Sequence, residues 1–247
     1  AQYRASFQAE TCLDLSRWLV AAKIQNARTL VRRNGARDTQ LESILRDLKT
    51  YRQQALRAKT LASLLGVEGI AAQRYFQALP LCLKQSEKIA AGFQFKNRNR
   101  RPPQDPINAL LSLAYTLLTR SISVAVSSVG LDVYRGFYHQ SRWGNPALAL
   151  DLMEPFRPLI ADSCVLTAIN NGEVQPSDFI SARTGIALNP AARKAFISLY
   201  ERRLSQEVTH PLFGYRISYR RLLEVQSRLF GRFLQGELSE YPCFVTR

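Results

Sequence analysis

Residues 136–157 read GFYHQSRWGNPALALDLMEPFR and contain the features that decide the fold of this chain. The second half predicts a short apolar helix whose two carboxylates, Asp151 and Glu154, are three positions apart and therefore share one face. The Gly-Asn-Pro sequence at 144–146 predicts a turn before that helix, and this turn can fold the segment back until His139 meets the carboxylates. One imidazole and two converging carboxylates are typical of a divalent metal site.

The alternative interpretation is a solvated histidine in a loop beside an ordinary amphipathic helix. Two observations count against it. The carboxylates lie in a run of apolar residues, where an unpaired charge is costly. A third acid, Glu68, stands between Gly66 and Gly69, and glycines permit close backbone approach. The pattern therefore predicts that Glu68 lies at the start of a helix, with little bulk around it, and is accessible to a metal ion.

The chain is strongly basic, with a formal net charge of +15 over 247 residues, and 27 of its 34 basic residues are arginine. Arginine offers a planar, bidentate fork that suits phosphates, so nucleic acid is the first partner to consider. An anionic membrane surface is the alternative, but the sequence has no evident lipidation motif or basic amphipathic anchor, and we expect no membrane partner. Residues 105–178 differ, with seven acids against four bases. A metal site beneath a phosphate-binding surface would produce this local excess of acidic residues, and so would ordinary variation along helix surfaces.

The four cysteines lie far apart without a C-x-x-C pair, which predicts reduced thiols, no zinc ribbon and a cytoplasmic protein. The sequence shows no signal peptide. The apolar run at 107–129 is long enough for a membrane span, but Arg120 and the seven Ser or Thr residues within it favour a buried core helix. The chain begins without Met and in mid-pattern, which favours a part of a larger protein.

The apolar periodicity predicts a mainly α fold, with one compact multi-helix domain over residues 1–247 and no internal repeat. The predicted helices are 10–33, 39–59 with a cap from Asp38, 107–129, 160–171, 190–208 and 219–234, with a strand pair or turn at 184–188. A polar linker at 94–106 carries Arg98, Arg100 and Arg101 directly before the core helix. These arginines are candidates for a clamp on the DNA backbone, which positions DNA without reading its sequence. A merely exposed loop is the alternative.

Four segments carry a more specific pattern. They are GVEGIAAQRYF at 66–76, NRNRRPPQDPINALLS at 97–112, GFYH at 136–139 and LALDLMEPFRP at 148–158. In this order they resemble the CRISPR adaptation integrase family, whose members insert new spacers into CRISPR arrays. The resemblance covers nearly the whole chain, and the order of the four motifs makes it specific.

The resemblance implies that the chain is the helical C-terminal domain of such an integrase, preceded by a β-rich domain or a larger fusion. In the family a Glu, a His and an acidic residue bind Mg²⁺ or Mn²⁺, and these roles would fall on Glu68, His139 and Glu154. Asp151 matches the neighbouring acid and would act from behind the ligands. The implied partners are DNA, as prespacer and CRISPR repeat, a second copy of the chain in a homodimer, a small dimeric adaptation subunit, and a fused or associated reverse transcriptase.

The implied reaction is the attack of a DNA 3′-hydroxyl on a phosphodiester of the repeat, which needs no protein nucleophile because a bound metal activates the hydroxyl. Two other classes stay open. A metal-dependent, structure-specific nuclease would use the same residues with water as the nucleophile. A catalytically silent nucleic-acid-binding scaffold would not need them, and the intact set of Glu68, His139 and Glu154 argues against it. The spacing of these residues does not separate integrase from nuclease, and only the resemblance favours the integrase.

Overall fold

The structure is a computed structural model that describes residues 1–35, 39–84, 86–99, 102–140, 142–182 and 185–246. The predicted mainly α fold is confirmed, and the described strands form two small antiparallel pairs. The elements in chain order are α1 (Gln2–Ala5), α2 (Ala9–Asn34), α3 (Thr39–Leu56), α4 (Leu61–Ala78), α5 (Glu87–Gly92), α6 (Pro106–Ser128), α7 (Ala147–Met153), α8 (Ser163–Asn170), β1 (Phe179–Ala182), β2 (Gly185–Leu188), α9 (Pro190–Ser205), β3 (Glu207–Thr209), β4 (Arg216–Ser218) and α10 (Tyr219–Leu234).

Helices α2, α3 and α4 pack against one another and form the first part of the core. The apolar stripe of α2 is buried as its periodicity predicts, and Leu15, Leu19 and Ile24 are each at most 3% exposed. The predicted start of α3 at Thr39 is correct, while its predicted cap, Asp38, lies outside the described residues. Helix α2 also contacts α7 and the helical turn after it, so one α2 face reaches the second half of the 136–157 segment.

The prediction that Glu68 lies at a helix start is wrong. Helix α4 begins seven residues earlier and continues through Glu68 without a break. Its start is fixed by a reciprocal cap, because Thr60 Oγ1 accepts a hydrogen bond from Ser63 N and Ser63 Oγ accepts one from Thr60 N. A Cβ on either neighbouring glycine would meet no described atom within 4 Å. These glycines therefore serve no close packing here, and they leave the helix surface around Glu68 open.

The predicted core helix at 107–129 is confirmed as α6, which differs from the prediction by one residue at each end. Asp105 caps it, accepting a hydrogen bond from Asn108 N at 2.8 Å. Among the described helices, α6 alone is long and apolar enough to cross a membrane. In this fold it packs against α7, α8 and α10, and Leu110, Leu111 and Leu118 are fully buried.

Two of the later helices end differently from the predictions. The apolar segment predicted as one helix at 160–171 is a wide, π-type helical turn over Arg157–Asp162 followed by α8. The helix predicted to reach residue 208 ends at Ser205, because β3 then pairs with β4 from Glu207 opposite Ser218. The alternatives at 184–188 resolve into strand β2, paired with β1 from Phe179 opposite Leu188, while Thr184 lies outside the described residues.

Candidate metal-dependent active site

The three predicted metal ligands line one cavity of about 240 Å³. Glu68 comes from the middle of α4, His139 from the loop before α7, and Glu154 from the position directly after α7. Helix α2 closes the cavity with Lys23. The structure thus brings together three predicted ligands that are up to 86 positions apart in the sequence, and the predicted approach of His139 to Asp151 and Glu154 is observed.

Asp151 holds the loop that carries His139. Its Oδ2 accepts hydrogen bonds from the backbone N–H groups of Phe137 at 2.6 Å and Tyr138 at 3.0 Å. Its Oδ1 accepts one from the backbone N–H of His139 at 2.8 Å. The approach is close enough to require a glycine before Phe137, because a Cβ on Gly136 would lie 2.9 Å from Asp151 Oδ2. Asp151 is only 1% exposed. Its role is therefore to hold the loop in place from a buried position.

Asp151 also orients the His139 ring, because Oδ1 lies 2.7 Å from Nδ1. A neutral imidazole that donates from Nδ1 keeps its lone pair on Nε2, and this atom lies 3.8 Å from Glu154 Oε1. Burial lowers the pKa of His139, but the hydrogen bond and charge of Asp151, together with the charge of Glu154, outweigh burial and raise it above its ordinary value. The arrangement is the carboxylate–imidazole pair that commonly stands behind a metal ion.

Glu154 is a buried carboxylate, 2% exposed, between two cations. Its Oε1 lies 3.0 Å from Arg157 Nε and its Oε2 lies 2.7 Å from Lys23 Nζ. Neither contact has the angles of a hydrogen bond, so both are ion pairs. Burial raises the pKa of Glu154, but Arg157, Lys23 and His139 outweigh burial and hold the pKa below its ordinary value. The carboxylate is therefore ionised, and the ion pair with Lys23 leaves Oε2 without a well-aligned donor.

Lys23 bridges the two predicted carboxylate ligands. Its Nζ lies 2.5 Å from Glu68 Oε1 in addition to its contact with Glu154. The remaining oxygen of Glu68, Oε2, accepts the hydroxyl hydrogen bond of Tyr138. Burial lowers the pKa of Lys23, but Glu154 and Glu68 outweigh burial and raise it. Sequence analysis did not identify Lys23 as a site residue, and the available signal was a lysine within the buried run of α2 next to Ile24.

The side chains fit a divalent ion by chemistry but are not assembled around one. In the part of the chain that the structure describes, no group of three His, Cys, Asp or Glu side chains is arranged to hold a metal ion. The reason is that the Lys23 ammonium pairs with both the Glu68 and the Glu154 carboxylates. Two carboxylates and an imidazole Nε2 are donors that suit Mg²⁺ or Mn²⁺. Glu68, His139 and Glu154 would hold the ion, and Lys23 neutralises the carboxylates without it.

A Lys23→Met variant should separate these two roles. Removing the ammonium leaves two carboxylates facing one cavity. We therefore expect the free energy of unfolding in metal-free buffer to fall by about 2 kcal/mol. This loss is below the usual cost of breaking a fully buried pair, because Lys23 is partly exposed. Mn²⁺ should raise the melting temperature of Lys23→Met more than that of wild type, because the ion no longer competes with the ammonium. Thermal unfolding with and without Mn²⁺ measures this, with exposed Lys49→Met as control. Equal Mn²⁺-induced increments in all three proteins would contradict it.

The cavity continues past the predicted ligands to a buried acid that sequence analysis missed. Asp162 is 1% exposed and accepts hydrogen bonds from the hydroxyls of Tyr75 at 2.6 Å and Tyr115 at 2.7 Å. Burial raises the pKa of Asp162, and the two hydrogen bonds offset only part of this rise. The guanidinium of Arg157 lies 4.6 Å above the Tyr115 ring. This network therefore supports the arginine that pairs with Glu154.

An open groove of about 1740 Å³ leads from the protein surface to the predicted ligands. Glu68 and His139 line it as well as the cavity, and four arginines also line it, namely Arg98, Arg135, Arg142 and Arg157. Four guanidinium groups against one carboxylate make this groove suitable for a polyanion.

Arg98 belongs to both the cavity and the groove, and it is anchored to α6. It donates to Asn108 Oδ1 at 2.7 Å and to Ser112 Oγ at 3.2 Å, and its guanidinium lies 5.4 Å from the Tyr115 ring centroid. Arg100 and Arg101 lie outside the described residues. The proposed clamp on DNA therefore stays a prediction, with one of its three members placed at the groove.

Comparisons with known proteins agree with the fold and the motifs. A family model described as CRISPR associated protein Cas1 matches residues 1–202. A CRISPR-associated exonuclease Cas4/endonuclease Cas1 fusion from Geobacter sulfurreducens is 56% identical over 250 residues, which cover 100% of this chain and 45% of the fusion. The chain thus spans less than half of that relative.

Two further comparisons cover the whole chain. A CRISPR-associated endonuclease Cas1 from Thermus thermophilus is 40% identical over 247 residues, which cover 100% of this chain and 71% of the relative. Among solved structures, a chain of a Cas6-RT-Cas1–Cas2 complex superposes with a TM-score of 0.87 at 26% identity, over 100% of this chain and 26% of that one. These matches show that the chain belongs to the Cas1 family of CRISPR-associated proteins.

Proposed function

We propose that this chain is the catalytic part of a metal-dependent DNA integrase that joins a DNA 3′-hydroxyl to a phosphodiester of a CRISPR repeat. The observation that carries the proposal is the meeting of Glu68, His139 and Glu154 in one cavity, at the inner end of an arginine-lined groove. The names of the relatives, endonuclease and exonuclease–endonuclease fusion, support phosphodiester chemistry on nucleic acid.

Each part of the site has a task in this reaction. The groove arginines bind the DNA backbone by its phosphates and so hold the reacting phosphodiester near the cavity. Asp151 orients the His139 ring, and the neutral tautomer that donates from Nδ1 has Nε2 free of a proton, while Arg157 pairs with Glu154. When bound, a divalent ion lowers the pKa of a hydroxyl and stabilises charge on the phosphoryl and leaving oxygens. The DNA 3′-hydroxyl supplies the nucleophile, so no side chain of the protein has to form a covalent intermediate.

The proposed partners follow the proteins that this chain resembles. We expect the full-length protein to act with a second, small adaptation subunit, because a similar structure is a Cas6-RT-Cas1–Cas2 complex. A homodimer and a cytoplasmic location are further expectations, which follow from the family resemblance and from the unpaired cysteines of the sequence. A reverse transcriptase is part of that complex, and a Cas4 exonuclease is fused to the Geobacter sulfurreducens relative. Either enzyme is a candidate for the remaining part of the full-length protein. The DNA partners would be a prespacer and the CRISPR repeat.

A structure-specific nuclease is the second candidate function, and the word endonuclease in the names of the relatives favours it. The two candidates share the same residues and differ in the nucleophile. Water as the nucleophile gives only shorter strands, whereas a DNA 3′-hydroxyl gives a strand joined to the target.

A branched DNA that mimics a half-integrated fragment separates the candidates. The full-length protein with Mn²⁺ or Mg²⁺ should convert a labelled flanking strand into a resealed strand longer than the labelled input, because the flanking 3′-hydroxyl is held next to the junction. Denaturing gel electrophoresis measures the strand lengths, and a flanking strand that ends in a 3′-deoxy nucleotide is the matched control because it has no nucleophile. Only shortened products, with either metal, would reject strand transfer and leave the nuclease.

A further inference from the structure

Trp143 is the most exposed large apolar side chain in the described part of the chain, with 93% of its surface accessible. It lies in the loop between His139 and helix α7. The other tryptophan, Trp18, is half-buried and packs edge-on against Phe233 with ring centroids 5.7 Å apart. Trp18 thus has a packing role in the core, whereas the indole of Trp143 contributes to no described packing cluster.

Trp143 lines the groove that leads to the predicted ligands. Its neighbour Arg142 lines the same groove and makes no ion pair with any residue that the structure describes. On the other side of the loop, Arg135 also lines the groove. An apolar protein segment in this groove would have to bury the Arg142 guanidinium without an ion-pair partner, which is costly. A polyanion would pair with Arg142 and with the other arginines of the groove, so the charge of the groove favours nucleic acid as its occupant.

The position of Trp143 limits which part of a nucleic acid it can touch. It is four positions from His139 in the sequence, so its Cα lies within about 14 Å of the His139 Cα even if the loop is fully extended. This distance equals about four times the rise per nucleotide of a B-form strand, and an extended single strand spans it with fewer nucleotides. Whatever phosphodiester reaches the cavity, the nucleotides that Trp143 can reach are therefore its near neighbours in the strand.

The indole must meet an open base face in order to stack. In a continuous duplex the base faces are covered by neighbouring bases, whereas unpaired nucleotides expose them. An aromatic ring beside basic groups that hold the backbone is the arrangement by which proteins bind single strands. From the exposure of Trp143, the charge of its groove and its distance from the predicted ligands, we propose that Trp143 stacks on an unpaired DNA base within about four nucleotides of the reacting phosphodiester.

This inference rests on the proposed function, because it assumes that DNA occupies the groove, and it adds a preference for unpaired nucleotides beside the reaction centre. The site would select DNA with a short single-stranded segment next to the branch over DNA that is fully paired there. Arg142 would hold the adjoining phosphate, since it lies next to Trp143 on the same loop.

The test uses the full-length protein in metal-free buffer, where binding is measured without reaction. Two branched DNAs are compared, one fully paired and one with four unpaired nucleotides beside the branch, and 2-aminopurine replaces each unpaired base in turn. Stacking on an indole quenches 2-aminopurine fluorescence. We expect quenching at one or two positions, and we expect Trp143→Ala to lose it and to bind the gapped branch about tenfold more weakly. Its affinity for the fully paired branch should not change.

Two further variants make the result specific. Trp143→Phe keeps an aromatic face and should retain most of the quenching. Tyr134→Ala removes another exposed aromatic ring of the same segment, which does not line the groove, and should behave as wild type. Equal quenching in wild type and Trp143→Ala, or an equal loss of affinity for both DNAs, would overturn the inference.

The two proposals can fail separately. If wild type shows position-specific quenching that Trp143→Ala loses, but gives no joined product with metal, the inference stands and strand transfer is rejected. If wild type joins DNA and Trp143→Ala binds both branches as wild type does, strand transfer stands and the inference is rejected. If wild type binds neither DNA, both are rejected.

Discussion

A Glu154→Gln variant of the full-length protein is expected to lose DNA joining while it still folds and binds branched DNA. Glutamine keeps the volume of the side chain and one acceptor oxygen, but it removes the charge that pairs with Lys23 and Arg157 and that would hold a divalent ion. We expect the joining rate to fall by more than the roughly 10–100-fold that loss of a residue behind a metal ligand produces. The gel assay of strand joining at saturating Mn²⁺ measures the effect.

The choice of glutamine follows from the contacts of Glu154. An alanine would remove the acceptor that Arg157 faces and leave Lys23 paired with Glu68 alone, and breaking a buried ion pair in this way costs about 3–5 kcal/mol. A loss of activity in Glu154→Ala would then report unfolding as well as chemistry. With glutamine we expect a smaller loss of stability, which thermal unfolding followed by circular dichroism measures.

Glu173→Gln is the matched control for this experiment. Glu173 pairs with Arg202 at the surface, where both side chains are partly exposed, and such pairs contribute about 0–1 kcal/mol. This variant should keep wild-type joining and stability. If Glu154→Gln joins DNA within tenfold of wild type at saturating Mn²⁺, Glu154 is not a ligand and the proposed site is incorrect.

The sequence predicted the helices well where burial follows a simple period. Helix α6 is apolar along almost its whole length and is bounded by Asp105-Pro106 at its start, so its ends were predicted to within one residue. The meeting of His139 with Asp151 was also predictable, because a Gly-Asn-Pro turn and a short helix leave few ways to fold the segment. Both features depend on neighbours that are close in the sequence.

The unpredicted features depend on contacts between distant segments. Lys23 lies on α2, and its role as the ion-pair partner of both carboxylates becomes evident only when α4 and the end of α7 place Glu68 and Glu154 beside it. Asp162 is explained only by two tyrosine hydroxyls from α4 and α6. The position of Glu68 was wrong because the neighbouring glycines were interpreted as a helix boundary, whereas the capping at Thr60 and the packing of α4 outweigh the roughly 1 kcal/mol cost of a glycine within a helix.

The strongest test of how the site is held concerns Asp151. Its two carboxylate oxygens accept from three backbone N–H groups and face His139 Nδ1. In Asp151→Asn one oxygen becomes an amide NH₂ group, which donates and cannot accept. If the NH₂ group took the place of Oδ2, the N–H groups of Phe137 and Tyr138 would both lose their acceptor. If the NH₂ group takes the place of Oδ1, only the N–H of His139 loses its acceptor. The orientation with the NH₂ group in the place of Oδ1 is therefore favoured.

In the favoured orientation the amide donates to His139 Nδ1, which must then accept, so the proton of the neutral ring moves to Nε2. The lone pair that faces Glu154 is lost, and with it a donor to the divalent ion. We therefore expect Asp151→Asn to reduce strand joining by more than about 100-fold, above the range usual for a residue behind a ligand.

The ¹⁵N shifts of His139 in metal-free protein, at a pH where the ring is neutral, should show the proton on Nδ1 in wild type and on Nε2 in Asp151→Asn. His139→Gln identifies the signal, and Asp132→Asn, which changes an acid of the same segment that accepts from Tyr3 and the backbone of Tyr134, should leave it unchanged. A proton on Nδ1 in both proteins would show that Asp151 does not set the His139 tautomer, and any loss of joining would then have to come from the loop that Asp151 holds.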